Sequence, residues 1–412
     1  MARPTSFAHM AILDRYAGFI VDLDGAFWRP EGVSKEAGTF LSKAVRAGRE
    51  VGFVTNDSSR TPHQVAKELE AAKVTVDPSR IVTSATAAAT LIAGSDHPRT
   101  LAIGGTGLVA ALAEAMVPLV QDPSEAEAVV VGWDAATTLD DLRRAAAAID
   151  QGARFVGTSP EATLMRGGQR WPGPGSLLAL LRTATGAAAE IVGKPNTLMF
   201  ELAAERMAVD GPVLVVGDGV DTDLAAANRL GWDTALIVGS VTGYVALLEA
   251  ERAPAYVIPG IGALVTDEPA TVRHAVAGDL SAIHNLLAAA GFDQERAAAR
   301  LQTTLVAQGP DGELVGTISW ELVDNAAHLR GITIARKERG HGTGSLLVTR
   351  ALMELRRTSC EWVYLLTPGG EQMFESLGFY RVQRDRVPVE ILETAQFGAP
   401  ADQATALVRR LR

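Results

Sequence analysis

Short apolar runs recur along the first 260 residues, each ending in glycine or small polar residues before a stretch with helical spacing. Residues 19–21 run into Asp22, residues 51–54 into Thr55-Asn-Asp-Ser-Ser59, residues 191–192 into Gly193-Lys-Pro195, and residues 213–216 into Gly217-Asp-Gly-Val-Asp-Thr-Asp223. An apolar run too short for a helix and bounded by turn residues predicts a strand buried on both faces. Between these runs, Ser34 is placed to cap a helix reaching about residue 47, Pro62 opens one to about residue 72, and another covers 197–208. Strand, helix, strand, helix is the construction of a parallel sheet. Residues 79–190 continue the alternation, with strands predicted at 101–103, 128–131 and 154–156 and helices at 107–116, 139–151 and 175–185. None of those strands ends in acids, so the stretch reads as a separate α/β insertion. Strands at 234–238 and 255–258 lead into residues 259–270, whose prolines, glycines and acids predict a linker.

From residue 271 the order of elements changes. A strand at 271–276 and a helix over 279–290 precede a hairpin at 303–322 that turns at Gly309-Pro-Asp-Gly312. A strand at 329–334 then enters Arg339-Gly-His-Gly-Thr-Gly344, which opens a helix to about residue 357. A strand at 361–366, a short helix at 373–378 and a strand from 379 complete the pattern.

At 412 residues the chain is expected to hold more than one domain. The formal charge of −10 is uneven: from residue 271 onward 16 basic and 16 acidic residues cancel, so the whole excess lies in the first 270. An acidic front part argues against nucleic-acid binding there. No apolar run reaches the length of a membrane span, and residues 1–18 lack a signal peptide's basic start and long apolar core, so a cytoplasmic protein is expected, with no membrane partner. The single cysteine, Cys360, excludes an intrachain disulfide and reads as a small buried hydrophobe.

The candidate chemistry lies at the strand ends. Asp22 and Asp24 form a carboxylate pair that needs a compensating charge, and a divalent cation and a lysine are the expected compensators. Each of the four clusters has a physical job in hydrolysing a phosphate monoester. Asp22 is the candidate nucleophile, and Asp24 the acid and base that protonates the leaving alcohol and then activates water. Mg²⁺ suits a site of carboxylates, waters and phosphate oxygens, with Asp22, Asp218 and the backbone carbonyl of Asp24 as candidate ligands. Asp223 is the candidate for orienting a ligand or metal-bound water from outside that set. Thr55, Asn56 and Lys194 are the candidates for holding the phosphate. Taken singly, Asp-x-Asp-Gly is common in turns and Thr-Asn often only caps a helix. Residues 217–223 are unlike a calcium loop because they follow a buried strand and lack the glutamate at position twelve. What raises the specificity is that all four clusters follow apolar strands in one chain order.

These four clusters together resemble the motifs of haloacid-dehalogenase superfamily phosphatases, in the branch of nitrophenylphosphatase-like, phosphoglycolate and glycerol-phosphate phosphatases. The resemblance spans about residues 15–260 and implies a Rossmann-like core, here 1–78 and 191–262, with a large α/β cap inserted at 79–190 that chooses the leaving group. It departs from the branch in having Asp57 where asparagine is usual and Gly219 where a larger polar residue is common. Residues 158–163 and 167–175 resemble the branch's cap loops. Trp28 follows the first motif closely enough for a site contact or for packing. Residues 271–412 resemble the GNAT acetyltransferase fold, with Arg339, Gly340, His341, Gly342, Thr343 and Gly344 as its loop for the pyrophosphate of coenzyme A or acetyl-CoA. Phe374 stands where many such enzymes carry a tyrosine, and a phenyl ring cannot donate a proton to a departing thiolate. The fusion resembles actinobacterial-type glycerol 3-phosphate phosphatases. It implies a Mg²⁺-dependent phosphomonoesterase whose partner is a small-molecule ester, with glycerol 3-phosphate preferred and a CoA-binding or regulatory C-terminal domain. Phosphoglycolate or pyridoxal phosphate as substrate, a bifunctional phosphatase and N-acetyltransferase, and a homo-oligomer remain open on these residues.

Overall fold

The computed structural model describes residues 11–29, 32–96, 98–237, 247, 252–258, 260–266, 270–292, 297–309, 311–339, 342–392 and 404–411. The chain divides into two compact units, one formed by Tyr16–Thr234 and the other by Met1–Arg15 with Ala235–Arg412.

In Tyr16–Thr234, strand β1 (Gly18–Asp22) is buried at all five positions, as its unbroken apolar run requires. Helix α1 (Lys35–Arg46) is capped by the Ser34 side chain. Strand β2 (Glu50–Thr55) follows, and then α2 (Pro62–Ala71), which opens on a reciprocal cap between Thr61 and Gln64. Strand β3 (Ile81–Thr83) pairs in parallel with β2. The chain therefore leaves this sheet after Thr83 rather than at about residue 79. Three residues are too few to show periodicity, which is why the strand escapes a sequence reading.

Helix α3 (Ser84–Ala93) leads to the inserted part: β4 (Thr100–Ile103), α4 (Thr106–Glu114), β5 (Ala128–Val131), α5 (Leu139–Asp150) and β6 (Arg154–Gly157). The antiparallel pair β7 (Thr163–Arg166) and β8 (Gln169–Pro172), α6 (Pro174–Thr185) and β9 (Glu190–Ile191) complete it. Its parallel sheet runs β9-β6-β5-β4, with Val129, Leu142 and Leu181 packed in a core of its own. The chain then returns through α7 (Leu198–Met207), β10 (Val213–Gly217) and α8 (Ala225–Leu230).

Strand β1 lies between β2 and β10, all parallel, with β3 beyond β2. The chain thus goes to one side of β1 first and comes back on the other. The carboxyl ends of β1, β2 and β10 meet at this reversal, which is where open α/β sheets form a ligand crevice.

In the second unit, β11 (Asp233–Ile237) pairs in parallel with β12 (Tyr256–Ile258) from Ala235 to Ile237. A mixed sheet follows, built from β13 (Thr271–His274), β14 (Thr304–Gln308), β15 (Leu314–Val323), β16 (Ala326–Ile334), β17 (Trp362–Thr367), β18 (Tyr380–Arg381) and β19 (Thr405–Arg410). Their order is β13-β14-β15-β16-β17-β19-β18. Helices α9 (Leu280–Ala289), α10 (Thr343–Arg356) and α11 (Glu371–Ser376) belong to the same unit. The hairpin predicted at 303–322 is β14 and β15, closed by a hydrogen bond from the Gly309 amide to the Glu313 carbonyl. Strand β19 was not legible in sequence, because Arg409 and Arg410 break its apolar run; here Arg410 lies over the Trp362 ring.

Among the described residues the pair β16–β17 is the only parallel contact in the mixed sheet, and its register ends at Leu329 opposite Leu365. Beyond that point the strands part, and a cavity of about 920 Å³ opens between residues 329–334 and 366–370. Cys360 is buried, as expected of a small hydrophobe. No described helix is long and apolar enough to cross a membrane.

His328, on β16, is almost fully buried, and its pKa is pushed down to about 3 by that burial and by the charges of Arg330 and Arg300. The folded protein therefore keeps this imidazole neutral where the unfolded chain, with an ordinary pKa near 6.5, takes up a proton. Its contribution to stability is complete above about pH 6.5 and lost as pH falls toward 3, by up to about 1.4 kcal/mol per pH unit. Urea denaturation of the wild type and His328→Gln from pH 7 to 5 should show the wild type losing roughly 2 kcal/mol more than the variant.

Candidate active site

Every cluster singled out in the front part of the sequence arrives at the reversal point of the first sheet. Asp22 is the last residue of β1, Thr55 the last of β2, and Asp218 follows the end of β10. Lys194 is brought in by the loop after β9, preceded by Gly193. Burial is uneven: Asp22, Thr55, Asn56, Lys194 and Asp223 are buried, whereas Asp24 and Asp218 are exposed.

The Lys194 ammonium donates to Asp22 Oδ1 at 2.5 Å and to Asp223 Oδ1 at 3.0 Å. Burial works against this ammonium, but the two carboxylates outweigh it and hold its pKa above the ordinary lysine value. Burial also pushes the Asp22 carboxyl well above the usual range; the charge of Asp223 adds to this, and that of Lys194 opposes it. Asp218 is pushed up to about 6, first by burial and then by Asp223. Much of Asp218 is open to solvent, yet its carboxylate lies against Gly25, where a Cβ would stand 2.1 Å from Oδ2. At φ +91° a side chain is strained at position 25, and a Cβ there would push the Asp218 carboxylate aside.

Asp22, Asp218 and Asp223 each present an oxygen within 4.8 Å of the others. Asp22 and Asp218 are both pushed upward, and one ammonium only partly relieves them. Three carboxylate oxygens this close form an all-oxygen donor set that suits a hard divalent cation. The residues present therefore fit a magnesium-type ion.

Asp24 is held differently. Its Oδ2 accepts a 2.7 Å hydrogen bond from the Thr55 hydroxyl, which in turn accepts from the Asp57 amide at 3.0 Å. Its side chain is thus tied to the end of β2. The Asn56 side chain is engaged with Lys194: its Oδ1 accepts from the Lys194 amide at 2.8 Å and its Nδ2 donates to the Lys194 carbonyl at 3.4 Å. The same Nδ2 donates to Glu161 Oε1 at 3.0 Å. Asp223 Oδ2 accepts from the Gly219 amide at 3.1 Å.

The two departures from the family pattern have local causes. Asp57 accepts from Ser59 and from Arg60 Nε at 2.5 Å, and Arg60 lies over the Trp28 ring, so the acid at 57 fixes a cation beside the first motif. Trp28 therefore packs under Arg60. At Gly219 a Cβ would stand 1.8 Å from the Thr222 hydroxyl, which occupies the space of a larger side chain.

Two contributors were not singled out in sequence. Ser58 accepts from the Trp133 amide at 3.0 Å and from the Thr158 hydroxyl at 3.3 Å, joining the second motif to the inserted part. Glu161 lies in a loop that resembled a cap loop, but nothing in its own spacing says which side chain would face Asn56. In the second unit, Arg339, Gly342 and Gly344 line the 920 Å³ cavity with Phe374, while Thr343 donates to Glu338. Gly340 and His341, predicted for the same loop, lie outside the described residues.

Comparison with known proteins agrees with this geometry. Residues 19–117 match the model of the haloacid dehalogenase-like hydrolases, residues 191–264 a second model of such hydrolases, and residues 284–381 that of the GNAT acetyltransferases. An acid sugar phosphatase of Staphylococcus haemolyticus is 30% identical over 257 residues, which cover 62% of this chain and 97% of that protein. A thermostable NPPase double mutant from Geobacillus stearothermophilus superposes with a TM-score of 0.55 at 31% identity, covering 61% of this chain and 98% of its own. A glycerol phosphate phosphatase from Mycobacterium tuberculosis, solved with magnesium, aligns with 90% of this chain and 98% of its own, at a TM-score of 0.68 and 26% identity. With the strand-end carboxylates and their lysine in place, the chain belongs to the haloacid dehalogenase-like hydrolases, as a phosphoric monoester hydrolase with a C-terminal GNAT domain.

Proposed function

We propose that the substrate is a small polyol phosphate, glycerol 3-phosphate first, hydrolysed through a phosphoryl group carried briefly on Asp22. The observation that carries the chemistry is the division of labour between the two first-motif carboxylates. Asp22 is buried and tied to Lys194, while Asp24 is exposed and tied to Thr55. A group fixed by a lysine keeps its free oxygen aimed at phosphorus, and a group open to solvent can exchange a proton with the leaving alcohol and with water. The polyol assignment is supported by the glycerol phosphate phosphatase that aligns along 90% of this chain, across both units.

In this reading Asp22 attacks phosphorus in line as the ester oxygen leaves with the Asp24 proton. The resulting acyl phosphate is then cleaved by a water that gives its proton to Asp24. Lys194 holds Asp22 and the phosphoryl oxygens in one electrostatic frame, and the Thr55 hydroxyl and nearby amides serve the remaining oxygens. Asn56 supports this from behind, by fixing the backbone at Lys194. Asp22, Asp218 and the Asp24 carbonyl would hold Mg²⁺, with Asp223 steadying the set through Lys194. When bound, the cation offsets the charge of carboxylates and phosphate together. We assign residues 1–83 and 191–262 to the catalytic core and the intervening segment to the cap, so that β3 stays with the sheet it pairs in.

For the second unit we propose that CoA or acetyl-CoA fills the cavity beside Gly342 and Gly344, without acyl transfer. Phe374, buried against Phe379, offers no proton to a thiolate.

Phosphate release should be measured over glycerol 3-phosphate, 2-phosphoglycolate, pyridoxal 5′-phosphate and nucleoside monophosphates. The highest kcat/KM is expected for glycerol 3-phosphate, and a nucleotide preference would refute the polyol reading. Asp22→Asn should abolish release with every substrate, whereas Asp24→Asn should lower kcat by about 10²–10⁴-fold. Release should stop with EDTA and return with Mg²⁺. Gly25→Ala should weaken Mg²⁺ binding, read by isothermal titration, while the far-ultraviolet circular dichroism stays native. Titration of acetyl-CoA should give saturable heat with no free thiol; thiol release with an amine acceptor would show transfer instead.

A further inference from the structure

Asp24 is an exposed residue in the turn that follows β1, and a group that hands a proton to a leaving oxygen has to stand within hydrogen-bond reach of it. Two supports hold it, one at the carboxylate and one at the backbone. At the carboxylate, the Thr55 hydroxyl donates to Asp24 Oδ2 at 2.7 Å and is itself fixed by the Asp57 amide at 3.0 Å. At the backbone, the residues on either side of Asp24 both bond to Trp28. The Gly25 amide donates to the Trp28 carbonyl at 2.7 Å, and the Trp28 amide donates to the Leu23 carbonyl at 2.6 Å. Asp24 and Trp28 accordingly form an isolated bridge of the strand type.

Both supports end on one side chain. Arg60 Nε donates to Asp57 Oδ2 at 2.5 Å, and the same guanidinium lies 5.2 Å from the centre of the Trp28 ring. Asp57 Oδ1 is taken up by the amide and the hydroxyl of Ser59, at 2.7 and 2.6 Å, which leaves Oδ2 to Arg60. Arg60 Nη1 donates to Glu68 Oε2 on α2 at 2.7 Å, so the guanidinium is held on a further side. Burial works against its charge, but the carboxylates of Asp57, Glu68 and then Asp24 keep its pKa above the ordinary arginine value. The contacts close a ring that runs from Asp24 through Thr55, Asp57, Arg60 and Trp28 back to the neighbours of Asp24. A planar, forked cation can bond a carboxylate along its edge while its face rests on an indole, which the point charge of a lysine does less well.

We infer that Arg60 is a positioning residue for proton transfer: by joining Asp57 to Trp28 it holds the Asp24 carboxyl in the place from which it protonates the leaving oxygen. This rests on the reading of Asp24 as the acid that serves the leaving alcohol, and it names how that acid is aimed. The role differs from a purely structural tie and from a general attraction of phosphate by a cation. Either of those acts on every ester alike, whereas a misplaced acid matters only where the leaving oxygen needs a proton. The alkoxide of glycerol is a poor leaving group and needs one; p-nitrophenolate leaves without it.

The test compares glycerol 3-phosphate with p-nitrophenyl phosphate, with Mg²⁺, in the wild type, Arg60→Gln, Trp28→Leu, the double variant and Asp24→Asn. The quantity to read is kcat/KM, which reports phosphoryl transfer to Asp22 and not the later hydrolysis. Arg60→Gln and Trp28→Leu should each lower it about tenfold or more for glycerol 3-phosphate, and by less than about threefold for p-nitrophenyl phosphate. The double variant should lose no more than the larger single loss, since both changes break one ring. Equal effects on the two esters, which local unfolding or a lost attraction would give, overturn the inference, and so does a double variant whose losses add. Asp24→Asn separates the inference from the reading beneath it. If Asp24→Asn loses far more with glycerol 3-phosphate than with p-nitrophenyl phosphate while Arg60→Gln is unselective, Arg60 is removed and the acid stands. If Asp24→Asn affects both esters equally, both fall.

Discussion

A single ammonium group joins the ends of the first sheet. Lys194 reaches Asp22 from β1 and Asp223 from the loop after β10, at 2.5 and 3.0 Å, and all three side chains are buried. A buried carboxylate without a partner costs several kcal/mol, and removing one member of such a set typically costs about 3–5 kcal/mol. The lysine is therefore a condition for two strand ends to carry acids in the interior at all. It also explains the work spent on fixing its backbone: Asn56 binds both the amide and the carbonyl of Lys194, and Gly193 gives the Thr158 carbonyl room to lie alongside.

From this constraint the rest of the site follows in layers. With Asp22 and Asp223 tied, Asp218 is left to face the open side, and Gly25 makes room for its carboxylate. Asp24 is kept apart by the Thr55 hydroxyl. The strained balance among these acids, which pushes Asp22 and Asp218 upward, is the electrostatic condition that a divalent cation reverses. The inserted part meets the core through the same short loop, since Ser58, two residues past Asn56, accepts from both Trp133 and Thr158. The second motif thus holds Lys194 through Asn56 and the inserted part through Ser58.

The second unit presents a different balance. Its cavity forms where β16 and β17 stop pairing. Glycines and apolar residues line it together with Glu338, Arg339, Ser345 and Thr367, and Phe374 stands among them.

Much of this was legible in the residues alone. Asp22, Thr55, Lys194 and Asp218 each follow an apolar run, and a buried strand ends where its apolar run ends, so the order of motifs along the chain already predicted their meeting. The α/β alternation, the inserted segment and the change of pattern near residue 271 were readable for the same reason: local periodicity is a property of neighbouring residues. What the tertiary structure alone decided lies across long sequence separations. It placed β3 inside the core sheet, inserted β19 between β17 and β18, turned Asn56 toward Lys194, and brought Glu161 to Asn56 across 105 positions. None of these leaves a local signal, because a hydrogen bond between distant segments is set by how the sheets and loops pack. Sequence therefore determined the reaction, through residue types at strand ends, and folding decided which distant side chains hold those ends in place.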